Sequence, residues 1–283
     1  MTEERLMPSS PVQGDGRVVL ITGATAGLGR HLAGRLATPD TVLLLHGRDP
    51  AALHDLSLRL KEKGATVHTY CADLASLDEV RDLGRRVVDE HRRIDVLINN
   101  AGVGPGAEGA GREASKEGHE LRFAVGYLAP YVLTGLLLPA LRCSAGARVI
   151  NVGSAAQIEL DHDDPEMTAY YDGWVAYGRA KLALASFSRD LADELKPSGI
   201  AVNCVHPADL MDTALVRDTG LAPQSTVTQG GDAVLALLRL PFTESGTGGY
   251  FNGLERAEPH EDVQDAVKRR RLHGMTERLL SGR

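Results

Sequence analysis

Along this chain, short runs of apolar and often β-branched residues alternate with longer stretches in which apolar positions recur at helical spacing. The runs RVVLIT (17–22), TVLLLHG (41–47), ATVHTY (65–70), DVLINN (95–100), ARVINVG (147–153), IAVNCVH (200–206) and GGYF (248–251) predict strands. The intervening stretches 28–37, 51–63, 76–90, 115–141, 174–196 and 226–239 predict helices. Strands that are apolar on both faces need helices on both sides, and repeated strand–helix units put successive strands parallel. The pattern therefore predicts a single doubly wound, Rossmann-type α/β domain with a seven-stranded parallel sheet.

The length of 283 residues, 43% of them apolar, suits one large core. Residues 1–16 carry acids and no apolar run, so they read as a disordered lead rather than a signal peptide or anchor, with the domain spanning 17–283. The apolar run YVLTGLLLPAL (131–141) falls short of the roughly 20 residues that cross a bilayer and reads as a buried helix face.

A net charge of −7, from 38 acids against 31 bases, argues against nucleic acid or an anionic membrane as partner and leaves a small molecule. In so acidic a chain the KRRR cluster at 268–271 reads as a solvated helix face. Cys71, Cys143 and Cys204 are far apart, without metal-ligand spacing, which predicts reduced thiols in a cytoplasmic protein and no metal.

Chemistry enters directly after the first strand, where Thr22-Gly23-Ala24-Thr25-Ala26-Gly27-Leu28-Gly29 turns into an amphipathic helix. Glycines allow a tight turn and close backbone approach, and the free N–H groups at a helix start attract a pyrophosphate. At the end of the second strand, where NAD-binding domains place an acid for the ribose hydroxyls, the chain reads His46-Gly47-Arg48. Arg48 is suited to a 2′-phosphate that an acid would repel, so NADP(H) is expected in preference to NAD(H), although Asp49 beside it weakens the local positive field.

The glycine spacing resembles the TGxxxGxG form of the short-chain dehydrogenase/reductase family. The resemblance runs over about residues 17–251 and is nearest in style to the retinol-dehydrogenase-like branch. It assigns cofactor contacts to Gly23, Thr25, Ala26, Gly27, Leu28 and Gly29, to Asp73 and Leu74 after the third strand, and to Asn99, Ala101 and Gly102 in the Asn99-Asn100-Ala101-Gly102 segment after the fourth. Helix capping by Asp73 and turn formation at Asn100 are local roles that fit the same residues.

At the other end of the cleft, Ser154 follows the fifth strand and Tyr177-Gly178-Arg179-Ala180-Lys181 comes 23 positions later, similar to the family's Ser and Tyr-x-x-x-Lys. An interval of four puts Tyr177 and Lys181 on one helix face. A phenol of ordinary pKa near ~10 is a poor acid–base catalyst at neutral pH, and an adjacent ammonium favours its phenolate. The resemblance implies Tyr177 as general acid/base and cofactor contact, Ser154 as the catalytic group that holds the substrate oxygen, and Lys181 as both catalytic residue and nicotinamide-ribose contact. It also implies that Pro207 and Ala208 lie against the nicotinamide, with Ala208 where glycine is usual.

The family's fourth catalytic residue, an asparagine, is replaced by Gly126. That departure keeps open an NADP-binding protein without ordinary turnover, either a sensor or an isomerase, cyclase or epimerase. Residues 155–176, with Tyr170, Tyr171 and Trp174, are placed to line the substrate cleft or simply to pack on the surface. Residues 207–225 correspond to the family's mobile substrate loop, and a homo-oligomer, dimer or tetramer, is expected on the same ground.

Overall fold

A computed structural model of the chain describes residues 16–241 and 246–282. The expected lead therefore lies, apart from Gly16, outside the described residues. In chain order the elements are β1 (Arg17–Ile21), α1 (Gly27–Leu36), β2 (Thr41–Gly47), α2 (Pro50–Lys61), β3 (Thr66–Cys71), α3 (Leu77–Glu90) and β4 (Val96–Asn99). There follow α4 (Leu121–Phe123), a π-helical stretch (Ala124–Leu128), α5 (Ala129–Arg142), β5 (Arg148–Val152), α6 (Gly173–Leu195) and β6 (Ala201–His206). The chain finishes with α7 (Ala214–Arg217), α8 (Val227–Leu237), β7 (Tyr250–Asn252), β8 (Glu255–Ala257), α9 (Glu261–Gln264) and α10 (Ala266–Leu280).

The strands form one sheet in the order β3-β2-β1-β4-β5-β6-β7-β8. The doubly wound α/β expectation holds, but the sheet has eight strands, and the last is antiparallel to β7. β8 escaped notice because Glu-Arg-Ala has no apolar signature; the legible sign was Asn252-Gly253, a hairpin turn in which Gly253 takes φ +60°. The order of strand addition reverses between β1 and β4, which run parallel, and in open parallel sheets ligands bind at such a switch, beyond the carboxyl ends of the strands.

The core lies on both sides of this sheet. Leu32, Leu36, Leu53 and Val234 bring α1, α2 and α8 onto one face, while Val80, Leu83, Leu133, Leu137 and Leu191 bring α3, α5 and α6 onto the other. Together α4, the π stretch and α5 make a continuous helix, Leu121–Arg142, of mean hydropathy 1.6 in its most apolar window, long enough in length and composition to cross a bilayer. It is longer than the apolar run suggested, and 67% of that window is buried within this fold.

The helix expected from residue 115 begins only at Leu121. Gly118 takes φ +92°, which a helix excludes, Ala114 bridges to Glu120, and the Glu120 carboxylate caps the helix by accepting from Phe123 N at 2.8 Å. The C-terminal basic cluster also differs from expectation: Lys268 pairs with Asp262 and Glu159, Arg269 with Asp190 and Arg271 with Asp163, so α10 is fastened to the body of the fold. On its inner side Thr276 meets the Tyr127 hydroxyl at 2.6 Å, which seats α10 over the helix face carrying Tyr127 and Tyr131.

Candidate functional site

The glycine-rich turn is held from three directions. Gly23, at φ +66°, leaves room where a Cβ would stand 2.9 Å from Ala101 Cα, and a Cβ on Gly29 would stand 2.2 Å from Gly23 O. Asn100 Nδ2 donates to the carbonyls of Thr22 (2.9 Å) and Gly23 (3.2 Å), while Thr22 Oγ1 accepts from Asn100 N and Ala101 N at 2.9 and 3.0 Å. The NNAG segment thus fixes the turn itself. From the other side His46 accepts from Gly23 N through Nδ1 at 3.3 Å and meets Ala72 O through Nε2 at 3.0 Å.

The turn leads into α1, whose N-cap residue Ala26 supplies no side-chain hydrogen bond. By contrast Asp49, Ser76, Asp172 and Thr226 cap α2, α3, α6 and α8 with their side chains. The first-turn N–H groups of α1 are therefore left for an external acceptor, beside Thr25, Ala26 and Gly27. Arg48 is exposed at the end of β2, and its guanidinium has no ion-pair or hydrogen-bond partner among the described residues.

Other sequence-selected residues turn out to have structural work. Asn99 is buried, and its Nδ2 donates to Thr134 Oγ1 (3.0 Å) and Asn151 Oδ1 (2.8 Å), in a chain continued by Asn151 Nδ2 to Ser188 Oγ. Its amide nitrogen is spent inside the layer between sheet and helices, while its Oδ1 is buried without a hydrogen-bond partner among the described residues. The Leu74 side chain is buried in the core. Asp73 Oδ1 accepts from Ala75 N at 3.0 Å, the local turn role that fits an aspartate there.

Lys181 and Tyr177 share one face of α6. The Lys181 ammonium, 5% exposed, donates to Val152 O at 2.8 Å, lies 5.5 Å from the Tyr177 ring centroid, and is 3.9 Å from the position a Cβ on Gly102 would take. It therefore joins the ends of β4 and β5 to the tyrosine. Ser154, two residues beyond Val152, is buried; its Oγ accepts from Ala156 N at 3.1 Å, and its carbonyl accepts from the Tyr250 hydroxyl at 2.9 Å. Trp174 stands edge-on to Tyr177 with ring centroids 6.5 Å apart.

Gly126 lies within the π-helical stretch, where a Cβ would approach Ala180, the neighbour of Lys181, at an ordinary 3.4 Å. A π turn widens the helix locally and is frequent at functional sites. Gly126 thus sits against the turn of α6 that carries Tyr177 and Lys181.

Two long segments, the loop after β4 and the one before α6, are tied to each other. The buried Arg122 donates to Gly104 O (3.0 Å) and pairs with Glu120 and Glu113, and Tyr171 donates to the Glu120 carboxylate at 3.1 Å. Glu166 then locks residues 155–172 onto the preceding loop by accepting from Arg112 Nη2 (3.3 Å) and Glu120 N, with His119 Nδ1 at 2.8 Å. Of the two roles open to Tyr171, the structure shows the packing one; Asp172 caps α6. No sequence spacing marks this Arg122–Glu120–Tyr171 group.

The 207–225 segment lies against the glycine-rich turn and the loop that follows β4. Thr213 Cγ2 lies 3.1 Å from a Cβ position on Gly27, and Leu215 Cγ lies 3.0 Å from one on Gly104. The segment is pinned at its base by the Met211–Ser225 bridge. Pro207 is buried, and Ala208 needs no left-handed backbone: the positive φ in this turn falls on Leu210, at +38°. Alanine in place of glycine therefore carries no backbone strain.

Away from the strand ends, His68, Glu90 and His91 bring potential metal-ligand atoms within 4.8 Å of one another, but the Tyr70 hydroxyl already donates to Glu90 (2.7 Å) and meets His91 Nε2 (2.8 Å).

The short chain dehydrogenase family model matches residues 17–223. Human retinol dehydrogenase 13 is 32% identical over 94% of this chain and 85% of its own length. Among solved structures, an uncharacterised protein from Mycobacterium paratuberculosis is similar with a TM-score of 0.76 and 25% identity, covering 99% of this chain and 98% of its own. The Pseudomonas aeruginosa RhlG/NADP complex is similar with a TM-score of 0.67 and 28% identity, covering 86% and 97%.

Proposed function

Because the chain belongs to the short-chain dehydrogenase/reductase family of NAD(P)-dependent oxidoreductases, in its retinol-dehydrogenase-like branch, we propose that it moves hydride between NADP(H) and a ketone or aldehyde, or the corresponding alcohol, with Tyr177 as the proton donor or acceptor. The observation that carries this reading is the Lys181 ammonium, held by Val152 O between the Tyr177 ring and Gly102 at the carboxyl ends of the strands.

The residues present fit a dinucleotide. A close-packed glycine turn opens onto an uncapped helix start suited to a pyrophosphate, and the exposed Arg48 guanidinium suits a 2′-phosphate. The NADP complex of the RhlG structure supports NADP(H) as cofactor; the preference over NAD(H) rests on Arg48. Gly23, Thr25, Ala26, Gly27, Leu28 and Gly29 would hold the pyrophosphate, Asp73 and the Leu74 backbone the adenine, and Ala101, Gly102, Pro207 and Ala208 the nicotinamide half. Asn99 acts from behind by bracing β4 against β5.

When bound, the nicotinamide supplies or takes the hydride. Lys181 keeps donor capacity beyond its bond to Val152 O for a ribose. The Ser154 hydroxyl orients the substrate oxygen, and Tyr177 gives it a proton in reduction or removes one in oxidation. The 207–225 segment, in contact with Gly27 and Gly104, excludes water from this region.

Retinol dehydrogenase relatives, together with Trp174 beside Tyr177, favour a medium-sized, partly apolar substrate. A cytoplasmic location rests on the separated cysteines, one domain over 17–283 on length and pattern, and a homo-oligomer on family likeness; α10 lies on the Tyr127–Tyr131 face and would take part in any association there.

The test is NADPH consumption over a panel of varied carbonyls, with Tyr177→Phe alongside. Activity undiminished in that variant removes the assigned proton transfer. Gly126, against Ala180, favours a second reading in which NADP is bound without net turnover; tight NADPH binding with no oxidation across the panel selects it.

A further inference from the structure

Building on the NADP-binding reading, we propose that His46 is the positioning residue of the dinucleotide cradle: a neutral strut from the glycine-rich turn to the loop before Asp73, whose protonation loosens cofactor binding. His46 is the penultimate residue of β2, 2% exposed, and three bonds converge on it. Its carbonyl accepts from Ala24 N at 2.8 Å, its Nδ1 accepts from Gly23 N at 3.3 Å, and its Nε2 donates to Ala72 O at 3.0 Å.

The partners dictate the protonation state. A backbone N–H can only donate and a backbone carbonyl can only accept, so Nδ1 is bare and Nε2 carries the proton. An imidazolium would direct an N–H at the Gly23 N–H, replacing an attraction with a repulsion. The charged groups bearing on the ring are Asp73, which favours protonation, and Arg48, which opposes it. Burial outweighs the Ala72 hydrogen bond and Asp73, both of which raise it, and holds the ring below its ordinary pKa.

One side chain thus spans the two backbone segments assigned above to the pyrophosphate and the adenine. Gly23 takes a left-handed conformation wedged against Ala101, and the His46 bond restrains its N–H from the opposite side. Ala72 directly precedes Asp73, whose carboxylate makes the next turn. Losing the strut releases both sides of the cradle at once, so its effect is on dinucleotide affinity rather than on proton transfer at Tyr177.

The experiment titrates NADPH, by its fluorescence, into the full-length protein and its variants from pH 5.5 to 7.5, with thermal unfolding recorded in parallel. His46→Asn sets an amide oxygen near the place of Nδ1 and has nothing to protonate. It is expected to bind within about threefold of wild type at pH 7.5 and to lose less affinity on acidification. His46→Leu and His46→Gln, which lose the Gly23 bond, are expected to bind on the order of tenfold more weakly at pH 7.5. The ligand's own 2′-phosphate titrates in this range, so the readout is the difference between proteins at each pH.

A pH profile for His46→Asn parallel to wild type, or wild-type affinity in both His46→Leu and His46→Gln, overturns the proposal while leaving the NADP reading intact. If His46→Leu does not fold, His46→Asn and His46→Gln decide alone. Wild-type protein that binds no NADPH overturns both readings together.

Discussion

Lys181 reaches across from α6 to donate to Val152 O at 2.8 Å, and that one bond fixes the ammonium beside Tyr177 while anchoring the helix to the end of β5. An ammonium on a flexible stem would otherwise sample many positions; here it is 5% exposed and held.

Tyr177→Phe removes only the hydroxyl from a half-buried ring that packs against Trp174. Turnover is expected to fall about 100- to 10,000-fold, with NADPH affinity nearly unchanged. Steady-state kinetics beside a fluorescence titration checks both halves.

Arg48→Ala deletes an exposed guanidinium that has no partner among the described residues, so fold stability should not move. Charge-assisted contacts to a phosphate are worth about 1.5–3 kcal/mol, so NADPH is expected to bind about ten- to 100-fold more weakly while NADH binding changes little. Equal binding of the two cofactors by both proteins would remove Arg48 from the cofactor site.

Gly126→Asn restores the amide that the family uses. The Cβ meets Ala180 at 3.4 Å, a contact the helices can take, and asparagine also removes a helical glycine costing about 1 kcal/mol. Turnover is expected to rise several-fold if a proton-relay anchor is what is missing. A fall, with folding intact by thermal denaturation, would show that the π turn needs glycine for its shape.

Glu120→Ala breaks a buried pair with Arg122, uncaps the helix at Phe123 and releases the Tyr171 hydroxyl. Arg122 keeps Glu113 and the Gly104 carbonyl, so the expected loss is about 1–3 kcal/mol, from the cap and the buried hydrogen bonds, measurable by denaturant unfolding. KM is expected to rise in the same variant, because residues 155–172 lose one of their ties to the cleft wall.

Acid is expected to destabilise the fold as the pH falls below about 6.5. His31, His46, His91 and His162 are all held below the ordinary histidine pKa, in each case chiefly by burial. A group that binds protons more weakly folded than unfolded gives its full stability above the unfolded pKa, near ~6.5, and loses it as pH falls through the folded one. The urea midpoint recorded along this range gives the sign directly, and a midpoint that climbs on acidification would contradict it.

Much of this protein was determined by its sequence alone, because the rules concerned are local. A parallel sheet follows from the apolar runs between amphipathic helices. A left-handed Gly23 follows a strand and opens a helix, and an interval of four places Lys181 on the face of Tyr177. Asn252-Gly253 belonged to the same legible class and marks the hairpin to β8. Tertiary structure alone decided what depends on neighbours far along the chain. Asn99 points inward because Thr134 and Asn151 are there to receive its amide, and His46 became a strut because folding brought Gly23 and Ala72 to its two ring nitrogens. The basic cluster at 268–271 became a fastening because its acids, Glu159, Asp163 and Asp190, stand some 80 to 110 positions earlier. A buried polar group takes its role from the partner that satisfies it, and no spacing in the sequence names that partner.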